Sequence, residues 1–169
     1  GGIARYSVDE KWIIPHFEKM LYDNIQYVNL LTKFYQKTKK EYFKIKLLQT
    51  INFLNKEFKN NESLYGSAYD ADSEGVEGKY YVWSYGELKD LLQNDLALFE
   101  KKYEISNSGN FEEKNILVES KKKLTEEENN KIFEIEKKLM QERQKRIKPF
   151  FDDKSQTDLN AFLLDTLIN

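Results

Sequence analysis

With 27 Lys and Arg against 29 Asp and Glu, one His and no Cys among 169 residues, the sequence excludes several chemistries before any pattern is read. Disulfides, thiol catalysis and Cys-ligated zinc need cysteine, and a multi-His metal site needs more than one histidine, so neither a metal nor a cofactor is expected. A net charge of −2 supplies no field of one sign for nucleic acid or a membrane surface.

No run approaches the ~18 uninterrupted apolar residues of a membrane span, and the opening Gly1-Gly2-Ile3 lacks a signal-peptide layout. A cytoplasmic chain with no nucleic-acid or membrane partner is therefore expected, and both ends read as cut from something longer. Lys outnumbers Arg 24 to 3, as A·T-rich codons would give, so runs such as Lys121-Lys122-Lys123 read as solvated turns.

In chain order, Pro15 suits a first helical turn. Apolar residues from Phe17 through Leu21, Ile25, Val28, Leu30, Leu31 and Phe34 predict a helix running to about Lys39. They cover more than one stripe, so burial on two sides is expected. A second helix, about 41 to 59, carries Leu47, Leu48, Ile51, Leu54 and Phe58 on one face and reads as an outer helix. Asn60-Asn61 breaks it. The segment 61 to 78 then holds five acids and no base, and leads to a predicted strand over Lys79-Tyr80-Tyr81-Val82-Trp83.

Ser84 with Glu87 has capping-box spacing for a helix through Leu92, and a further helical turn is expected between Asp95 and Tyr103. Residues 105 to 115 read as loop, followed by the apolar stretch Ile116-Leu117-Val118. Thr125 with Glu128 is a second capping box, opening a charged helix to about Ile147 with Ile132, Ile135 and Leu139 on its buried face. Pro149 is expected to stop that helix, and Asp158 to cap a last one through Ile168.

His16, placed in a first helical turn, would meet the positive dipole end, which favours a neutral imidazole usable as a base; the alternative is a structural His bonded to a neighbouring loop. On a helix Asp23 lies two turns away and Glu18 faces elsewhere. The acidic loop beginning Asp70-Ala71-Asp72-Ser73-Glu74-Gly75 starts like an EF-hand loop, but position 12 is Tyr81 rather than Glu, so calcium binding of that kind is not expected. Its carboxylates suit the paired acid and base of sugar chemistry, or a hydrated turn. Tyr65, Tyr69, Tyr80, Tyr81 and Trp83 bracket the loop as platforms for sugar rings or as packing.

Four blocks carry a resemblance: Gly1-Gly2-Ile3-Ala4-Arg5-Tyr6-Ser7-Val8-Asp9 with Trp12 and Pro15-His16-Phe17-Glu18-Lys19-Met20-Leu21-Tyr22-Asp23-Asn24; Asp70 to Gly75 with Glu77-Gly78-Lys79-Tyr80-Tyr81-Val82-Trp83; Gly109-Asn110-Phe111-Glu112 with Asn115-Ile116-Leu117; and Asp152-Asp153-Lys154 with Thr157-Asp158 and Asn160. Together they resemble the spermatogenesis-associated protein 20-like, thioredoxin-domain-containing family. The last block departs from it: Leu159 stands where the family has Trp, Ala161 where it has Gly, and Ser155-Gln156 where it is apolar.

The resemblance implies a mostly α fold, a partial (α/α)6 toroid of the six-hairpin glycosidase type with short β strands in long loops, similar to N-acylglucosamine 2-epimerases. The chain would be one partial domain, about half the barrel, lacking the thioredoxin-like domain before it and the second half after it. The implied function is action on carbohydrate, as a hydrolase or epimerase, with a sugar as ligand and the thioredoxin-like domain as partner. A non-catalytic binding or redox-associated module and an inactive truncated product are the alternatives.

The catalytic candidates are His16, Asp70, Asp72 and Glu74: two carboxylates as acid and base for a hydrolase, or His16 moving a proton for an epimerase. The substrate-binding candidates are Arg5, Tyr6, Asp23, Tyr81, Trp83, Asp153, Lys154 and Asp158. Half a barrel would also leave apolar surface, such as Phe34 and residues 161 to 168, without partners.

Overall fold

The computed structural model describes residues 1–168. In chain order its elements are β1 (Lys19–Met20), α1 (Leu21–Thr38), α2 (Glu41–Phe53), β2 (Ala68–Tyr69), β3 (Asp72–Ser73), β4 (Val76–Glu77) and α3 (Tyr85–Leu92). These are followed by α4 (Leu96–Lys102), β5 (Tyr103–Glu104), β6 (Val118–Glu119), α5 (Glu126–Arg143), β7 (Phe151–Asp152) and α6 (Thr157–Ile168). Helices dominate and every strand is two residues long, so the chain is mostly α. No described helix is long and apolar enough to cross a membrane.

The residues group into two compact units. One holds Gly1–Tyr6, Pro15–Asp72 and the segment from Pro149 onward; the other holds Ser7–Ile14 and Ser73–Lys148. In the first unit, α1 and α2 form a helical hairpin through Lys39 and Lys40, and α6 packs on α1. Lys39 takes the left-handed conformation that ends α1, its N–H donating to the Tyr35 carbonyl at 2.8 Å. Leu21, Ile25, Val28, Leu54, Phe58, Tyr69 and Leu163 make the core.

A three-stranded antiparallel sheet, in the order β1-β2-β7, binds three distant parts of the chain: Lys19 faces Tyr69, Met20 faces Ala68, and Ala68 and Tyr69 face Asp152 and Phe151. Gly66 permits this close approach, because a Cβ there would lie 2.5 Å from the Phe151 ring and 2.9 Å from the Asp152 carbonyl oxygen.

Several expectations are corrected here. The first helix begins at Leu21, not near Pro15, because residues 15–20 run extended against neighbouring backbone. The His16 N–H donates to the Tyr6 carbonyl at 2.8 Å, the Arg5 N–H to the Glu18 carbonyl at 3.0 Å, and β1 then enters the sheet. The Leu21 N–H donates to the Ser67 carbonyl at 2.9 Å, which replaces a side-chain cap.

Burial of α1 follows one stripe (Leu21, Asn24, Ile25, Val28, Leu31), leaving Leu30 and Phe34 exposed, although Phe34 stacks on Phe43 at 5.2 Å. In α2 Leu48 is exposed and Thr50 buried, and the final turn, Leu54–Phe58, widens to π-helical geometry. Asp158 does not cap α6; it lies inside the first turn and accepts from the Leu159 N–H at 2.9 Å.

In the second unit, Trp83, Leu88, Leu92, Phe99, Ile132, Ile135 and Leu139 form the core. The Ser84 hydroxyl accepts from the Glu87 N–H at 3.1 Å, and Thr125 and Glu128 complete a reciprocal capping box, so both expected helix starts are found. The α5 helix ends at Arg143, before the expected Ile147 and well before Pro149.

The predicted strand 79 to 83 is instead a turn. Gly78, at φ +70°, reverses the chain, and its carbonyl accepts from the Tyr81 and Val82 N–H groups at 2.7 and 3.1 Å. Only Trp83 pairs, as an isolated bridge with Asn115. The buried Asn115 amide holds the loop before it, accepting from the Ser106 N–H at 2.9 Å and donating to the Ser106 carbonyl at 3.0 Å.

Candidate functional site

Two extended stretches of the first unit, residues 3–6 and 15–20, run beside each other ahead of α1 and carry a mixed cluster of charge and aromatic rings. The Arg5 guanidinium donates to Glu18 Oε2 at 2.9 Å, a bond that holds Arg5 above its ordinary pKa, and His16 Nε2 lies 3.6 Å from the same oxygen. The His16 imidazole stacks on the Tyr6 ring at 4.6 Å between centroids.

Just beyond, on the first turn of α1, Asp23 Oδ2 is buried with no hydrogen-bond partner. Burial raises the Asp23 pKa and the Glu18 charge adds to the rise, while Arg5 opposes it. The base of the cluster is fixed by the fully buried Asn24. Its Oδ1 accepts from the Ile3 N–H at 2.8 Å and its Nδ2 donates to the Met20 carbonyl at 2.8 Å.

Glu18 is the member that sequence reasoning missed. On a helix, residues two apart point away from each other; on extended backbone they share a face, and this is what joins Glu18 to His16. The dipole argument for His16 falls with the helix that was to supply it.

The sheet brings the remaining first-unit candidates onto the same backbone. Asp70 follows β2, its N–H donating to the Phe150 carbonyl at 2.9 Å, and its carboxylate accepts from the Ala71 N–H at 2.6 Å. Asp72 is exposed at the head of β3. The Ser67 hydroxyl donates to the Lys154 carbonyl at 2.7 Å, and the exposed Lys154 ammonium lies 3.8 Å from Asp152. Asp153 and Asp158 are exposed. Among the described residues, no group of three or more His, Asp or Glu side chains is arranged to hold a metal ion.

Glu74, Tyr81 and Trp83 fall in the second unit. Glu74 pairs with Lys79 at 2.8 Å. Trp83 is 3% exposed and covered by the Arg146 guanidinium, which lies 4.0 Å from the ring centroid. Arg146 also donates to the Tyr80 and Val82 carbonyls at 3.0 and 2.8 Å and to Glu87 at 2.7 Å, while Arg143 lies over the faces of Tyr80 and Tyr81. The available signal was rarity. In a chain that uses Lys almost everywhere, the three Arg sit where a planar guanidinium is needed for a ring or a carboxylate.

These features define a mostly helical protein whose first and last motif blocks are joined, in the first unit, through a minimal sheet beside a cluster of charge and aromatic rings. Over 125 residues, 64% of its length, the chain is 33% identical to spermatogenesis-associated protein 20 of Mus musculus, and over an equal stretch 30% identical to that of Homo sapiens. The Rattus norvegicus protein matches at 33%. The chain is a relative of spermatogenesis-associated protein 20, as its motif blocks indicate, and the match spans 16% of the length of these relatives. No family model matches it.

Proposed function

We propose that the chain is part of a carbohydrate-acting domain, a partial (α/α)6 toroid of the six-hairpin glycosidase type, in which His16 and Asp23 handle protons beside a sugar. The observation that carries this is the cluster itself. A carboxyl whose pKa burial raises and an imidazole, both near the Arg5–Glu18 ion pair, are the separated pair of groups that proton transfer at a neutral substrate requires. The α1–α2 hairpin supports the toroid as one of its helical pairs, and the exposed Leu30 and Phe34 suit a helix with another neighbour. In the whole protein a thioredoxin-like domain would precede this part, and Asp70, Asp72 and Lys154 would border the sugar.

The test is turnover. In deuterium oxide the chain should exchange the C2 proton of N-acetylglucosamine, or should release reducing ends from an oligosaccharide panel. His16→Gln and Asp23→Asn should each lower the rate by about a hundredfold or more, the usual worth of a positioned acid or base. A folded chain that does neither overturns the catalytic proposal and leaves a binding module or an inactive product.

A further inference from the structure

A cavity of about 490 Å³ lies wholly within the second unit, walled by β4, the Lys79–Tyr80 turn, the Phe111–Lys114 turn and the Lys145–Ile147 segment. Its walls are pinned. The Ser73 hydroxyl donates to the Ile147 carbonyl at 2.6 Å, and Arg146 ties its own segment to Tyr80, Val82 and Glu87. A space of this size accommodates a small ligand.

Three of the four cations that line it are already paired: Lys79 with Glu74 at 2.8 Å, Arg146 with Glu87 at 2.7 Å, and Lys145 with Glu142, outside the lining, at 2.7 Å. No cluster of unpaired cations is left to select a phosphate or carboxylate. Two side chains of opposite sign, Glu112 and Lys114, make no ion pair among the described residues, and each can hydrogen-bond a hydroxyl. Between them and β4 the surface is apolar: Phe111, Val76 at 46% exposure and Ile147 at 62%.

The turn that presents Phe111 and Lys114 is strained. Glu112 and Glu113 hold φ of +45° and +60° in succession, and the Phe111 and Lys114 backbones close on each other at 3.0 and 2.8 Å. Left-handed backbone is costly for residues with a Cβ, and such strain gathers at ligand clamps.

We infer that this cavity binds a neutral pyranose ring, its C–H face against Phe111, Val76 and Ile147 and its hydroxyls bonded by Glu112 and Lys114. The choice of a sugar among neutral polyols rests on the carbohydrate reading above.

The test is a titration of the isotope-labelled full chain, followed by amide NMR, with glucose, N-acetylglucosamine and glucose 6-phosphate as separate probes. At least one neutral sugar should give saturable millimolar binding that shifts Val76, Glu77, Phe111 and Lys114. Phe111→Ala should weaken binding by about fivefold or more, and the exposed change Lys114→Met by about threefold, with the amide spectrum still that of folded protein. Stronger shifts with glucose 6-phosphate than with either neutral sugar would overturn the assignment, as would saturating sugars that leave these amides unmoved. Sugar-induced shifts confined to Tyr6, His16 and Asp23 would overturn the cavity assignment while sparing the carbohydrate reading; no shifts and no turnover would sink both.

Discussion

The most charged helix and the most apolar helix of the protein lie in different units. In the second unit α5 is dense in Glu and Lys, yet its apolar stripe Ile132, Ile135 and Leu139 is buried against Trp83, Leu88, Leu92 and Phe99, while Phe133 and Met140 stay exposed. In the first unit α6 is rich in Leu, yet only Leu163 and Thr166 are buried, and Leu164, Leu167 and Ile168 are 61%, 44% and 77% exposed. A one-sided helix completes its burial with one neighbour; a helix that is apolar around most of its circumference needs several. The second unit thus buries the whole α5 stripe within itself, whereas the first presents apolar surface along α1 and α6 with nothing in the described chain to cover it.

The sharpest way to break this comparison is to hollow each core in turn. Phe99→Ala and Phe58→Ala each remove a ring that is 0% exposed and should cost ~3–5 kcal/mol. Hydrogen exchange should show the loss of protection confined to the unit that carries the change; equal loss in both units would mean that they unfold as one. The buried amides come next. Asn24→Leu strands the Ile3 N–H and removes a donor to the Met20 carbonyl, and Asn115→Leu strands the Ser106 N–H, so each should cost ~1–3 kcal/mol in chemical denaturation.

Smaller effects separate the two units further. Thr125→Ala opens the capping box of α5 and should cost ~1 kcal/mol, with the first unit's exchange rates unchanged. Leu164→Lys on the exposed face of α6 should change stability by no more than about 0.5 kcal/mol. It should also reduce any self-association seen by sedimentation, since a charge there interrupts the apolar patch. A large loss of stability would mean that Leu164 is already covered.

The second unit was the more legible in sequence, because its helices announce themselves locally. Ser84 and Thr125 sit at caps whose partners lie three residues on, and the Ile132, Ile135 and Leu139 spacing marks a single buried stripe. The first unit was misread where partners distant in sequence decide local structure. Nothing near Pro15 signals that residues 15–20 will be drawn out to pair with Tyr6 and β2, and the helical assignment separated His16 from Glu18. The pairing of the 19, 68 and 151 segments was not legible, since two-residue strands carry almost no alternation to detect. Apolarity in α1 is legible, but its surplus over one stripe, Leu30 and Phe34, is exposed rather than buried on a second side.

The central claim, a proton-handling cluster at the head of α1, is tested most directly by titrating the Asp23 carboxyl by carbon-detected NMR. Burial and Glu18 raise its folded pKa against the opposing pull of Arg5, so its midpoint should lie above the ordinary carboxylate value of ~3.9 and rise further in Arg5→Met. A raised folded pKa means that the folded state binds this proton more tightly than the unfolded one. The stability it contributes is therefore fully present below the unfolded value and is lost as pH rises through the folded value. Asp23→Asn should accordingly gain in stability relative to the parent chain as pH climbs through that window. A midpoint at or below the ordinary value, unmoved by Arg5→Met, would contradict the account.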